Sequence, residues 1–276
     1  MNKLKMLYIG EFPPPDGGIT LLVKCLADEL SIRNGLELSI IDIVQPRKRS
    51  NGRIKLPKIL DNCLAMVIFM FRVLFKIKCC DLISIHLPSN KIWSHGLYAL
   101  ITGRLFGKKI IVRKFAVTDI NSFNPVMRKI TKLVLRRSDA YLCETKYLVK
   151  IAEEDGIRPT FWFPNHRKVS GLDNLPMHEN CRKAVFLGLV RKEKGVEDLC
   201  RASELVEDIK VDIYGTLFGD ISESFFDDFD NVSYKGPLNI DEIIDTLSEY
   251  DVLVLPSYRE GYPGVIIEAY SAGIPV

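Results

Sequence analysis

The 276-residue sequence predicts an α/β protein with two doubly wound, Rossmann-like domains. Short apolar runs typical of buried parallel strands alternate with amphipathic helical segments along the whole chain. The charge balance also changes sign. Residues 1–168 hold 29 Lys and Arg against 14 Asp and Glu, a net +15, whereas residues 169–276 hold 9 against 21, a net −12. We therefore expect one domain at 1–168 and a second at 169–276, joined through the polar segment 169–180.

The first domain is predicted to alternate strands and helices from its first residues. The strands are expected at 5–10, 38–43, 81–87, 108–115 and 140–144, and the helices at 20–33, 57–78, 93–106, 125–137 and 146–154. Gly17 and Gly18 lie between the first strand and the first helix, where phosphate-binding glycines lie in doubly wound folds. A turn that needs positive φ is the alternative interpretation of this pair. His86, at the end of the third strand, is expected to be a core histidine, with substrate contact as the alternative.

The predicted helix 57–78 has two interpretations. Leu60, Leu64, Val67, Ile68, Phe71, Leu74 and Phe75 share one face, which indicates packing on the sheet. The preceding loop, residues 45–56, carries Arg47, Lys48, Arg49, Arg53 and Lys55. Cations beside bulky apolar residues also favour contact with an anionic membrane surface. The longest uncharged apolar run, residues 62–71, is far shorter than the ~20 residues that span a bilayer.

The bulk sequence also limits location and partners. No signal-peptide segment opens the chain, and the seven cysteines form no C-x-x-C pair. We therefore expect a cytoplasmic protein with reduced, buried thiols. If helix 57–78 contacts a membrane, we expect the protein to be peripheral at the inner face of that membrane. No zinc-finger, RRM-like or helix-turn-helix signature accompanies the basic half, so nucleic acid is not the expected partner.

The second domain is predicted to repeat the same alternation. Strands are expected at 184–190, 210–214, 232–235 and 251–255, the last of them fully buried, with helices at 196–206, at 240–249 and from Gly264 onward. The loop after the first of these strands reads Arg191-Lys192-Glu193-Lys194-Gly195. The loop after the last reads Pro256-Ser257-Tyr258-Arg259-Glu260-Gly261-Tyr262-Pro263.

This last loop predicts a ligand site. The first-turn N–H groups of the helix at Gly264 have no intrahelical partners and lie at the positive end of the helix dipole, so they suit an anion. Glu260 and Glu268 flank that helix end. Two carboxylates would repel phosphates but would accept hydrogen bonds from the hydroxyls of a sugar attached to phosphate. The loop therefore indicates a nucleotide sugar, with solvated glutamates on an ordinary turn as the alternative.

The stretches Glu260-Gly261-Tyr262-Pro263, Ile266-Ile267-Glu268-Ala269 and Ala272-Gly273-Ile274-Pro275-Val276 resemble the signature of retaining glycosyltransferases of family 4 (glycosyl transferases group 1), which have the GT-B fold. The resemblance is strongest from Ala184 onward. It implies two Rossmann-like domains that face a cleft, with the donor held mainly by the second. It also implies that this second domain is incomplete at Val276, because relatives continue further.

The resemblance implies transfer of a hexose-type sugar from a nucleotide diphosphate sugar to an acceptor hydroxyl, with retention and without a metal, in cell-envelope glycan or polysaccharide synthesis. The donor is then a co-substrate, no resident cofactor is expected, and the acceptor is a glycan or a lipid-linked molecule. The catalytic residues are Glu260, Lys194 and Arg191, and the donor-binding residues are Gly17, Gly18, Gly215, Gly261, Gly264, Val265 and Glu268.

Individual roles also follow from the resemblance. Glu260 is expected at the donor sugar, Glu268 at the ribose, and Lys194 with Arg191 at the diphosphate. The family's usual arginine position holds Leu189, so Arg191 is the expected substitute, with Lys192 as the alternative. Phe115 stands where the family places a histidine. A nucleotide-sugar epimerase of the same fold and a non-catalytic fragment or pseudoenzyme remain as alternative functions.

Overall fold

The computed structural model describes residues 3–14, 17–43, 58–115, 123–167, 181–206, 208–219 and 221–276. The chain forms two compact units, Met1–Asn165 and His166–Val276. The boundary expected from the sequence was residue 168, and the segment 169–180 in which we placed it lies outside the described residues. Each unit contains one parallel sheet, and the two are described in turn.

The first unit has a six-stranded sheet of order β2-β1-β3-β4-β5-β6, in which every neighbouring pair is parallel. Its strands are β1 (Leu4–Gly10), β2 (Leu36–Asp42), β3 (Leu82–Pro88), β4 (Lys109–Phe115), β5 (Ala140–Cys143) and β6 (Thr160–Trp162). Its helices are α1 (Gly18–Ser31), α2 (Lys58–Ile77), α3 (Leu97–Leu105), α4 (Pro125–Arg137) and α5 (Lys146–Glu154). A short turn, Ser89–Lys91, and a π-helical turn, Ile92–Gly96, precede α3, so this helical segment begins before the predicted residue 93.

Helices cover both faces of this sheet. Leu22 and Val23 of α1 pack with Tyr8 and Phe115 in one cluster. Helices α2 to α5 pack in a separate cluster through residues that include Phe69, Val73, Ala99, Val134 and Ala152. Two clusters around one parallel sheet are the expected packing of a doubly wound fold.

Helix α2 packs with a different face from the one that we predicted. Its fully buried residues are Phe69, Val73 and Ile77. The predicted packing face is instead exposed at six of its seven positions, namely Leu60, Leu64, Val67, Phe71, Leu74 and Phe75, with Ile68 partly buried. The prediction of which face packs was wrong because this helix is apolar around most of its circumference, and periodicity alone does not select between two apolar faces. The basic loop before it lies outside the described residues.

The second unit has a four-stranded parallel sheet of order β10-β7-β8-β9. Its strands are β7 (Lys183–Leu187), β8 (Lys210–Tyr214), β9 (Val232–Gly236) and β10 (Val252–Leu253), and its helices are α6 (Val196–Ser203), α7 (Ile243–Leu247) and α8 (Gly264–Ser271). Single 3-10 turns cover Lys192–Lys194, Glu223–Asp228 and Ile240–Glu242.

Strand β10 differs from the prediction of a fully buried strand at 251–255. It is two residues long, and Val252 is only partly buried because β10 is the edge strand of this sheet. On its outer side the Leu253 N–H donates to the Pro275 carbonyl at 2.9 Å. The prediction of a parallel strand here is confirmed.

The thiols also depart in part from the prediction. All seven cysteines lie within the described residues and are free. Cys80, Cys143 and Cys200 are buried as expected, but Cys63, Cys79 and Cys181 are exposed, against the expectation of buried thiols. Among the helices of the described residues, none is long and apolar enough to cross a membrane.

Candidate active site

Two loops at the carboxyl edge of the second sheet lie in direct contact. Gly195 has a left-handed backbone (φ 70°), and a Cβ at this residue would collide with the Pro256 carbonyl oxygen. The Tyr258 N–H donates to the Glu193 carbonyl at 3.2 Å. The Tyr258 hydroxyl donates to Asp198 Oδ2 at 2.5 Å, which holds the second loop to the start of α6. The loop after β7 is therefore fixed against the loop after β10.

This packing brings Lys194 to Glu260. Lys194 Nζ donates to Glu260 Oε1, and the two side chains are 20% and 24% exposed, so the pair is reachable from solvent. Arg191 is oriented differently. Its Nε lies 3.6 Å from Glu193 Oε2, in its own loop. The structure thus joins two of the three predicted catalytic residues, while Arg191 pairs with Glu193.

Helix α8 provides the helix end that the sequence predicted. It begins at Gly264 after an N-cap Pro263 that makes no side-chain cap bond, and its first turn has no acidic residue. The helix itself therefore offers its first N–H groups no capping side chain and no first-turn carboxylate. Val265 packs in the cluster beneath the helix, and Gly261 lies in the bend between Glu260 and the helix start.

Glu268 is held by a residue that the sequence analysis missed. Arg167 Nε donates to Glu268 Oε1, and the two side chains are 9% and 11% exposed. A Cβ at Gly264 would collide with Arg167 Nη2, so the guanidinium lies against the first residue of α8. The two partners are 101 residues apart in the chain, and no local motif marks Arg167. Sequence patterns around Glu268 alone could not have found it.

The remaining predicted glycines divide into two kinds. Gly215 has φ 142°, and a Cβ there would collide with the Gly188 carbonyl oxygen, so the fold itself requires glycine. Gly17 and Gly18 have no such requirement. Gly17 is extended (φ −170°), and a Cβ at Gly18 would have no neighbour within 4 Å. The interpretation of this pair as a turn with positive φ was therefore wrong.

The first unit places charges at the same edge of its own sheet. Arg113, at the end of β4, is fully buried between the rings of Phe115 and Phe163, with Cζ 4.8 and 4.7 Å from their centroids. Its Nη2 donates to Asn165 Oδ1 at 2.8 Å. Burial lowers the pKa of Arg113 to about 10, and the nearby Glu144 opposes that shift. Burial also raises the pKa of Glu144, against the effect of Arg113 and Lys114.

His86 belongs to this buried cluster. It is 1% exposed, its ring stacks on Tyr8 with centroids 4.3 Å apart, and its Nε2 lies 2.7 Å from Ser84 Oγ. The interpretation of His86 as a core histidine is confirmed.

The second unit has recognisable relatives. Residues 181–276 match the family described as glycosyl transferases group 1. A D-inositol 3-phosphate glycosyltransferase of Arthrobacter sp. is 32% identical over an alignment of 106 residues that covers 33% of this chain and 25% of that protein. The teichuronic acid biosynthesis glycosyltransferase TuaC of Bacillus subtilis is 33% identical over 103 residues, 37% of this chain and 25% of that protein. Each match thus spans a quarter of the curated relative.

Solved structures extend the likeness to the whole fold. Sucrose-phosphate synthase of Thermosynechococcus elongatus has a TM-score of 0.74 at 15% identity, over 99% of this chain and 80% of that one. Anabaena HepE, in complex with UDP, has a TM-score of 0.68 at 13% identity, over 99% and 80% of the two chains. At these identities the likeness shows the fold alone. The chain is an α/β protein of the GT-B type with two Rossmann-like units, as the sequence predicted.

Proposed function

We propose that this protein is a glycosyltransferase that moves a sugar from a nucleotide diphosphate sugar to an acceptor hydroxyl, with retained anomeric configuration and without a metal. The observation that carries the proposal is the position of Glu260 and Glu268 on either side of the start of α8, each paired with a cation. The match of residues 181–276 to a glycosyltransferase family supports the reaction class.

The roles follow from the charges. Lys194 forms an ion pair with Glu260. A bound donor would place its diphosphate beside Lys194 and the N–H groups of Gly264 and Val265 at the start of α8, and its sugar hydroxyls beside Glu260. When the bond between the anomeric carbon and the diphosphate oxygen breaks, negative charge accumulates on the diphosphate. Prearranged cations and N–H groups at that point stabilise the transition state, which is commonly the largest single contribution to catalysis.

Further residues complete the proposed donor set. Glu268 would accept from the ribose hydroxyls, and Arg191 would turn from Glu193 to the diphosphate. Gly17 and Gly18 are retained as donor contacts because neither backbone strain nor packing accounts for glycine there. Gly261, Gly264 and Val265 would contribute backbone N–H groups. Gly215 has a structural reason to be glycine, so its identity adds nothing to the proposal.

The reaction is tested by turnover of UDP-, GDP- and ADP-sugars with the full chain. Lys194→Ala should lower turnover by about 10²–10³-fold, the range for one lost preorganised donor of charge stabilisation. Arg191→Ala should have a smaller effect. The matched control is Lys210→Ala, which removes an exposed cation at the amino end of β8, away from the site, and should leave turnover unchanged. Unchanged turnover in Lys194→Ala contradicts the assignment.

The same assay separates the alternative functions. An epimerised monosaccharide released without any acceptor would identify an epimerase. Binding of the nucleotide diphosphate with no turnover of any donor would identify a non-catalytic protein. Either result overturns the transferase proposal.

We also propose that the protein acts on a glycan or lipid-linked acceptor in envelope or polysaccharide synthesis, at the inner face of a membrane. The support is the exposed apolar face of α2, which comprises Ile59, Leu60, Leu64, Val67, Phe71, Leu74 and Phe75, each between 38% and 78% exposed. An exposed apolar patch of this kind marks an interaction surface.

The charges favour an anionic lipid surface as its occupant. Residues 58–78 carry four Lys or Arg and one Asp, with Arg72 and Lys78 exposed, and the first 168 residues carry a net +15. A second copy of the chain on this face would bring like charges together, whereas anionic headgroups complement them.

Vesicles test this surface. Phe71→Ala combined with Phe75→Ala should weaken binding to phosphatidylcholine/phosphatidylglycerol vesicles by tenfold or more, because full burial of each Phe contributes about 1.5–3 kcal/mol. Phe218→Ala is the matched control, since Phe218 and Phe71 are each 58% exposed. Binding should fall as salt rises. A dimer that the double variant dissociates, without vesicle binding by the unaltered chain, would contradict the lipid assignment.

A further inference from the structure

Arg167 occupies an unusual position at the start of α8. Its Nε donates to Glu268 Oε1 and its Nη1 donates to the His166 carbonyl at 3.2 Å. Its Nη2 lies against Gly264, where any Cβ would collide with it. Among the residues that the structure describes, Nη2 makes no hydrogen bond. One arm of the guanidinium fork therefore remains available beside the first turn of the helix.

The electrostatics of this position favour an incoming anion. The N-terminal end of a helix carries a partial positive charge, so a guanidinium beside it is repelled unless a negative group intervenes. Glu268, one turn further along α8, supplies that negative group on one side of Arg167. Helix α8 itself supplies no second negative group beside Nη2, because it has no capping side chain and no acidic residue in its first turn.

We propose that Arg167 is a donor-binding residue whose Nη2 donates to the diphosphate of the nucleotide sugar, while its Nε keeps the Glu268 carboxylate turned toward the ribose. The proposal rests on the proposed function and adds a residue to it. Arg167 with Glu268 then parallels Lys194 with Glu260. In each pair the cation meets phosphate oxygens and the carboxylate meets hydroxyls.

The alternative is a purely structural ion pair, and the two roles differ in what they do to nucleotide binding. A structural pair would influence nucleotide and nucleoside alike through the shape of the site. A direct contact to phosphate would influence only ligands that carry the diphosphate. The ratio of the diphosphate's affinity to the nucleoside's affinity therefore separates the two roles.

Calorimetry with the full chain measures this ratio. UDP, GDP and ADP are titrated, and the nucleotide that binds is compared with its nucleoside. Arg167→Ala should lower the ratio by about tenfold or more, and Arg167→Lys, which keeps the charge but not the fork, should restore part of it. Glu268→Gln should weaken both ligands and leave the ratio unchanged. Lys210→Ala, at the amino end of β8 and away from the site, should change neither affinity.

Two further variants control for unfolding and for the change of charge. If Arg167→Ala unfolds because Glu268 is left buried without its cation, Arg167→Ala combined with Glu268→Gln removes both charges and should show the same lowered ratio. Gly264→Ala should displace the guanidinium and lower the ratio without a change in any charge.

The outcomes separate this inference from the proposed function. A ratio that is unchanged in Arg167→Ala and in the double variant, while Lys194→Ala lowers it, overturns the role of Arg167 and leaves the proposed function intact. A chain that binds none of the three nucleoside diphosphates overturns the proposed function itself, and the role of Arg167 with it.

Discussion

The two units place charged side chains at the same edge of their sheets, but they bury them to different extents. In the first unit Arg113 is 0% and Glu144 5% exposed, between aromatic rings and strand ends. In the second, the side chains of Lys194 and Glu260 are 20% and 24% exposed. A charged residue enclosed in a core contributes to stability and is not accessible to a ligand. A charged residue in a pair that solvent can reach is able to exchange its partner for a ligand. At the same edge of a doubly wound sheet, one unit therefore encloses its charges and the other leaves them within reach of solvent.

The position of each residue relative to its strand explains the difference. Arg113 lies within β4, so neighbouring strands and the chain around Asn165 enclose it. Lys194 and Glu260 lie in loops beyond β7 and β10, where no strand covers them. Residues a few positions beyond a strand end are therefore better candidates for ligand contact than charged residues inside the strand.

The largest effect that we expect in this comparison is on folding of the first unit. Arg113→Met should lower the free energy of unfolding by about 3–5 kcal/mol, because it leaves buried Glu144 without one of its two nearby cations. Lys194→Met should change it by less than about 1 kcal/mol, since that pair is partly exposed. Urea unfolding followed by circular dichroism measures both. Similar losses in the two variants would remove the distinction between the units.

A smaller effect should separate the two glutamates of the second unit. Glu260→Gln should mainly lower transfer, and Glu268→Gln should mainly weaken nucleotide binding by about 1.5–3 kcal/mol, the value of a hydrogen bond to a charged group. Turnover assays and calorimetry with the free nucleoside diphosphate test this division. It is refuted if both variants lose the same nucleotide affinity.

The smallest effect concerns pH and His95 of the first unit. Burial, with a smaller effect from Lys91, lowers the pKa of His95 to about 4. A lowered pKa means that the unfolded chain binds the proton more readily, so stability is full above pH 6.5 and is lost as pH falls toward 4. Between pH 7.5 and pH 5, protonation of His95 in the unfolded chain should lower the free energy of unfolding by about 2 kcal/mol. Unfolding of His95→Asn should lack that component, and an unaltered pH dependence would refute the assignment.

Local signals predicted much of the fold. Helix α4 begins at Pro125, after an Asn124 whose side chain accepts from the Val126 N–H, and its predicted bounds are confirmed. The bounds of α5 and β8 are also confirmed. Capping residues, proline and short apolar runs act within a few residues, so the sequence shows them directly.

The features that the sequence did not predict depend on distant partners. The buried face of α2 depends on its packing in the core of the first unit, and the edge position of β10 depends on strand order. The motif that spans the last loop and α8 indicated Glu260 and Glu268 as candidate site residues, and the loop after β7 indicated Lys194. Arg167 reaches Glu268 only through folding across 101 residues, so no spacing rule applies to it.

The contact between Gly195 and Pro256 has a consequence for mutational tolerance. Because even a methyl group at position 195 would strike the Pro256 backbone, every substitution there must push apart the loops that carry Lys194 and Glu260. In a saturation scan, substitutions at Gly195 should therefore lower activity as much as substitutions at residues proposed to contact the substrate. Gly195 itself has no side chain that could make such a contact. The loss of activity at this position would come from disrupted packing between the two loops. A scan that measures activity alone would not distinguish this loss from the loss of a catalytic residue.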